Sequence, residues 1–474
     1  INRLRSDPFR SCPLRNSTAV HATLLTLVIA AAVSAAPPVG WRNDGTGKFP
    51  AANPPINWSA DRNVVWRIEM PGRSLASPVV VGDRVFVTAE PAELVCFSVK
   101  EGKKLWQQSH QYTNVFDKAK AERIEKNLAL ARELDKEVGA RHRERDTARK
   151  ANDTDKQKEL EEQINALRKR INKLTLFPRM PGGDSANTGS TPTSDGKNVF
   201  AVFGTGIVSS QTLAGKRNWI KFIEAPGSGH CASPLLVDGK LIVHLRSLIA
   251  LDAATGKTLW TAKTGARHGS PVVARIDGTP VVVTPGGAVV RVGDGKIVAK
   301  DQFRLNHSSP IVHADVVYAM QDGIIKAVTL SGATADEAVT QVAWETSGSR
   351  SSRLASPIYH EGLLYSVTEK GILEVTDAKT GDRIYRKRLE FNGGRVDPSV
   401  TLAGDRLYVS NTRGATVVFR PGKQYQEIAR SKLNDGFSSS LSFAGNRLFM
   451  RTAKHLYCIE ENATRTAGGA PSKR

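Results

Sequence analysis

Residues 231–260 read CASPLLVDGKLIVHLRSLIALDAATGKTLW. After Ser233-Pro234 come a short apolar run, a turn at Asp238-Gly239, the alternating run LIVHL (241–245) and a second turn that ends at Gly256. Gly and Asp accept the positive φ of tight hairpins, and runs of period two are strands, so the stretch reads as an antiparallel meander. Its opening phrase recurs as Ser77-Pro78, Thr191-Pro192, Ser270-Pro271, Ser309-Pro310, Ser356-Pro357 and Asp397-Pro398, with Ser439-Ser440 as an eighth copy without the proline. From the second copy onward the steps are 37–47 residues; the first step, 114 residues, holds an insertion. One four-stranded unit cannot bury both faces, so the units must stack, and radial stacking of roughly 40-residue units is a β-propeller. The fold class is all-β, an eight-bladed β-propeller of four-stranded antiparallel blades with an inserted antiparallel α-helical coiled-coil hairpin. The propeller spans 63–459; its last copy lacks a strand, which NVVWRIEM (63–70) supplies to close the ring.

Length alone, 474 residues, suggests about three domains, but the period counts blades instead. At 40% hydrophobic and 24% charged the chain is neither disordered nor a multispan membrane protein. Residues 1–35 read as a signal peptide. Arg3, Arg5, Arg10 and Arg15 precede the apolar run ATLLTLVIAAAV (22–33), which is short for a span, and Val33-Ser34-Ala35 is a small-residue cleavage site. Cleavage lowers the net charge from +21 to +18 and places the protein outside the cytoplasm, periplasmic or secreted, away from chromosomal DNA. No nucleic-acid partner and no membrane span after cleavage are therefore expected. Cys96, Cys231 and Cys458 remain, too few for a disulfide scaffold and odd in number, so at least one is free or paired elsewhere; Cys96 and Cys458, in alternating apolar runs, read as small buried residues. Residues 36–62 form an N-terminal lead and 460–474 a disordered tail.

A second phrase, LDAATGKTLW (251–260), has relatives FSVKEGKKLW (97–106), SQTLAGKRNW (210–219) and VTDAKTGDRIY (375–385). Each places an aromatic, Trp260, Trp106, Trp219 or Tyr385, four residues after a Gly, on an outer strand where it packs between blades. The phrase resembles the tryptophan-docking repeat of the pyrroloquinoline-quinone-like (PQQ-like) propellers. That superfamily contains quinoprotein alcohol dehydrogenases and the propeller lipoprotein of the bacterial β-barrel assembly machinery. The resemblance covers 56–459 apart from the insertion; it is specific for the fold and weak for function.

The insertion, 117–175, carries 17 Lys/Arg against 13 Asp/Glu. Leu160, Ile164, Leu167, Ile171 and Leu174 step as a heptad seam, and Thr154 with Gln157 matches a capping box, so it reads as a helical hairpin. The first helix is longer than the second, and its apolar remainder must pack on the propeller or on a partner.

The residues just before each Ser-Pro phrase would ring the channel mouth: Leu75, Gly189, Cys231, His268, His307, Leu354, Arg395 and Phe437, with Arg73, His230, Arg267 and Arg353 beside them. Together with Asp397 these form a basic, His-bearing candidate ligand site. The His offsets differ and carboxylates are scarce, so no metal is expected. No Ser-His-Asp order, P-loop or His-Glu-x-x-His motif is present, and no catalytic residue is assigned. The resemblance to quinoproteins implies a calcium-assisted PQQ, a catalytic Asp and usually two adjacent cysteines; this chain has no Cys-Cys pair. The expectation is a non-catalytic binding or assembly scaffold without a cofactor, meeting protein partners of the cell envelope partly through the hairpin. A PQQ/calcium-dependent alcohol dehydrogenase and a carbohydrate or anionic-polymer binding module are the alternatives.

Overall fold

The structure, a computed structural model, describes residues 39–176, 188–224, 231–265, 267–351, 354–436 and 439–463. The leader 1–35, His230, Arg353, Phe437 and most of the tail lie outside the described residues.

Eight antiparallel sheets form the blades, built from residues 79–109, 193–222, 235–262, 272–299, 311–347, 354–388, 401–432 and 442–460, numbered here as blades 1 to 8. Blades 1 to 6 contain four consecutive strands each. Blade 8 takes its outer strand from Val64–Glu69, which pairs antiparallel with His455–Glu460 and joins the two ends of the chain. Blade 7 has a fifth strand, Lys48–Phe49, parallel to Thr401–Ala403. The hairpin turns take the left-handed conformation at Asp238, Asp277, Ala314 and Glu361, where no β-branched residue stands.

The core lies between blades. Val85, Val87, Val95 and Phe97 of blade 1 meet Trp66, Phe449, Leu456 and Cys458 of blade 8. A middle strand is therefore covered on both faces, and Val85–Ala89 is buried at every residue. This explains why the middle strands read as almost continuous apolar runs.

The G-x-x-x-W phrase works across blade boundaries. Trp66 of blade 8 lies over Gly102 of blade 1 and donates Nε1–H to Val99 O at 3.0 Å. Trp106 meets Gly215 and Leu213 O, Trp219 meets Gly256 and Ala253 O, and Trp260 meets Gly295 and Val292 O. Trp344 does the same with Gly381 and Ala378 O. Each phrase thus supplies its Gly to the preceding blade and its Trp to the following one. Tyr385, which the spacing groups with the tryptophans, differs: it packs in the core of blades 6 and 7, and its hydroxyl has no hydrogen-bond partner. Blade 7's corresponding turn has Gly422 with no neighbour close to where a Cβ would stand, so no glycine shelf receives the ring.

The insertion is a pair of helices, α1 (Lys118–Lys150) and α2 (Thr154–Leu174), packed on each other. Leu160, Ile164 and Ile171 are buried along the expected seam. The cap lies one residue earlier than the capping-box reading: Asp153 Oδ1 accepts Lys156 N at 2.9 Å, and Thr154 is already helical. The unmatched base of α1 packs on the propeller, where Ala121 and Ile124 join Phe86, Leu94, Phe203 and Ile207 of blades 1 and 2. His110, at the root of the insertion, packs on Phe203 with ring centroids 4.7 Å apart and planes tilted by 35°. Among the described residues no helix is long and apolar enough to cross a membrane.

Candidate functional site

The inner strands open at the axis, and the recurring hydroxyl residue is what links them. Ser77 N donates to Thr191 Oγ1, Thr191 N to Ser233 Oγ, Ser233 N to Ser270 Oγ, Ser270 N to Ser309 Oγ and Ser309 N to Ser356 Oγ, all at 2.9–3.1 Å. Between blades 6 and 7 the link is a backbone bond, Val400 N to Ser356 O at 3.3 Å; Ser399 N then donates to Ser440 Oγ at 3.0 Å, and Ser442 Oγ closes the ring on Pro78 O. Proline suits the next position because the innermost strand is an edge, where a missing N–H leaves nothing unpaired.

This ring corrects the register of two copies. In blades 7 and 8 the equivalent residues are Ser399 and Ser440, since each strand begins two residues later, at Thr401 and Ser442. Asp397-Pro398 imitates the phrase but stands two residues early. Asp397, rather than Arg395, is therefore the counterpart of His268 and His307 on the mouth wall.

On that wall His268 and His307 stack with ring centroids 4.9 Å apart and planes 4° from parallel. Cys231 donates its thiol to His268 O at 3.3 Å, and burial pushes that thiol up to about 11, so it stays protonated. Arg395 is ion-paired with Asp397 at 2.9 Å, so these two predicted residues neutralise one another. Arg267 is half-buried. Arg73 stands apart, in a cleft at the seam of blades 7, 8 and 1.

The floor of the mouth is the chain's own lead. Val39 exchanges backbone hydrogen bonds with Ser194 of blade 2 at 3.0 and 2.8 Å. Three residues on, the Arg42 guanidinium donates to Pro357 O of blade 6 at 2.8 Å and to Val400 O of blade 7 at 2.9 Å. Blades 2 and 6 face each other across a ring of eight, so residues 39–42 cross the axis. Arg42 is buried, and desolvation brings it down to about 9. The lead then runs along the inner edge of blade 7 as Lys48–Phe49, and the axis is closed from within.

The seam cleft encloses about 630 Å³. Arg67, Arg73, Lys454, Asp435, His455 and Tyr457 carry its charge and hydrogen bonding. His455 Nδ1 and Thr452 Oγ1 both bond Asp435 Oδ2 at 2.6 Å. Of this set only Arg73 is among the predicted residues. The others come from three separated parts of the chain with no common spacing, and only the turn that brings Asp435 beside His455 reveals them.

The described mouth does not assemble what a calcium-assisted quinone would require. Cys231 faces a carbonyl, not a second thiol, Asp397 is engaged by Arg395, and among the described residues no group of three His, Cys, Asp or Glu side chains is placed to hold a metal ion.

The profile of the family described as "Outer membrane protein assembly factor BamB" matches residues 56–244 and 244–467. The chain belongs to this family. Among solved structures it is similar to BamB from Moraxella catarrhalis, with a TM-score of 0.53 and 13% identity over 85% of this chain and 98% of that one. It is also similar to the computationally designed Ika8 protein, with a TM-score of 0.52 and 10% identity over 84% of this chain and 99% of the other. At such identities the likeness is one of fold. Comparison with curated protein sequences finds no match.

Proposed function

We propose that this BamB-like propeller is an exported, non-catalytic scaffold that binds protein partners in the cell envelope through its mouth face and its helical hairpin. The observation that carries the reading is the family match across both halves of the propeller. Two features support it. The axis is closed by residues 39–49, which turns the disc into a surface rather than a conduit. The hairpin enters where the outer strand of blade 1 ends, at the mouth end of the strands, and its base is fastened to blades 1 and 2.

Crosslinking in intact cells followed by mass spectrometry is expected to recover envelope proteins with the full chain and fewer of them after deletion of 118–174. N-terminal sequencing of the mature protein is expected to begin at Ala36. Recovery of the protein in the cytoplasm, or a PQQ absorbance with calcium accompanied by dye-linked alcohol oxidation, would overturn the reading.

A further inference from the structure

The seam cleft holds two cations that the fold does not use. Among the described residues neither the Arg73 guanidinium nor the Lys454 ammonium is in an ion pair or a side-chain hydrogen bond, and both are exposed. A third cation, Arg67, lies on the outer strand of blade 8 and lines the cleft with Tyr457. The carboxylate of the cleft, Asp435, takes its hydrogen bonds from His455 and Thr452, and among the described residues it forms no ion pair with Arg67, Arg73 or Lys454. The cations are spread along the cleft: Arg67 on the outermost strand, Lys454 on the turn between the middle strands, and Arg73 on the loop leading to the axis. A row of unpaired cations in an open groove is a receptor for repeated negative charge, and guanidinium groups bind carboxylates through two parallel hydrogen bonds.

We propose that this cleft binds an acidic, extended peptide segment of a partner protein, with Arg73 and Lys454 each receiving a carboxylate. This deepens the scaffold reading and rests on it. The lining favours a peptide over a sugar polymer, because its one Phe, Tyr or Trp ring, Tyr457, is 4% exposed and offers no open face for a sugar ring. It favours a peptide over a lipid because the apolar lining is confined to Leu75 and small alanines. His455 has its Nδ1 directed at Asp435, which leaves Nε2 as the remaining polar atom of the ring.

The test is fluorescence anisotropy of a labelled hexa-glutamate peptide with the full chain at low and at 0.3 M salt. Binding is expected at low salt and weakened by salt, because the contacts are solvent-accessible charges. The double variant Arg73→Ala/Lys454→Ala is expected to bind at least tenfold more weakly, and Arg73→Lys/Lys454→Arg to bind nearly as well. Lys103→Ala/Lys216→Ala removes the same charge from turns at the far end of the strands and is expected to bind as the parent does. Thermal melting of each variant separates loss of binding from loss of fold. Equal loss in the two alanine doubles, no loss in the cleft double, no peptide binding at all, or cleft-dependent binding of polygalacturonate without binding of the peptide would each overturn the proposal. If the peptide fails while crosslinked envelope partners persist, the cleft assignment falls and the scaffold reading stands.

Discussion

Gly102 takes φ +70°, and a Cβ there would lie 2.7 Å from Trp66 Cδ2. Gly102→Ala therefore meets both the left-handed penalty and an aromatic ring that is 2% exposed and fixed by its Val99 hydrogen bond. Trp66→Ala empties the same site and is expected to lower stability by about 3–5 kcal/mol, measured by denaturant unfolding. Two buried histidines give the fold an acid limit. Burial brings His110 and His244 down from the usual 6.5 to about 4, with the cations Arg217 and Arg267 adding to the effect. The folded state keeps both neutral while the unfolded chain protonates them below about 6.5. Their contribution is thus intact above that pH and lost as the pH falls from 6.5 toward 4. Unfolding free energies at pH 7 and pH 5 are expected to differ by about 2 kcal/mol for each histidine, and His110→Gln or His244→Gln should flatten that dependence.

At the scale of elements, the hydroxyl ring makes each inner strand depend on the next. Ser270 Oγ receives the amide of Ser233, and both residues are buried. Ser270→Ala leaves that amide unpaired, at an expected cost of about 1–3 kcal/mol. Ser270→Thr should be nearly neutral, because Thr191 fills the same role in blade 2. The blade period was legible because the ring repeats one contact, amide to hydroxyl, at six of its eight blade boundaries with one residue class. Register in blade 7 was not, because a proline marks the phrase in the sequence whereas the hydroxyl makes the contact. The helical insertion was legible from its heptad seam, but its unmatched base settles on aromatic and aliphatic residues of blades 1 and 2 that no local pattern points to.

On the whole molecule, closure and plugging use adjacent parts of one segment. A chain beginning at residue 60 keeps Val64–Glu69 but loses Arg42 and the fifth strand of blade 7; it is expected to fold with a lowered melting temperature. A chain beginning at residue 71 lacks the outer strand of blade 8 and Trp66 and is expected to lose cooperative unfolding, with circular dichroism reading both. The net charge of +21 acquires a place here: part of it stands unpaired in the seam cleft. Eight blades, the site of the insertion and the closing strand follow from periodicity, because a repeat writes the same short-range geometry into the chain again and again. The sealed axis and the cleft follow from contacts such as Arg42 with Val400 and Met70 with Lys454, between residues more than three hundred positions apart. Such pairs share no spacing, so only the closing of the ring brings them together.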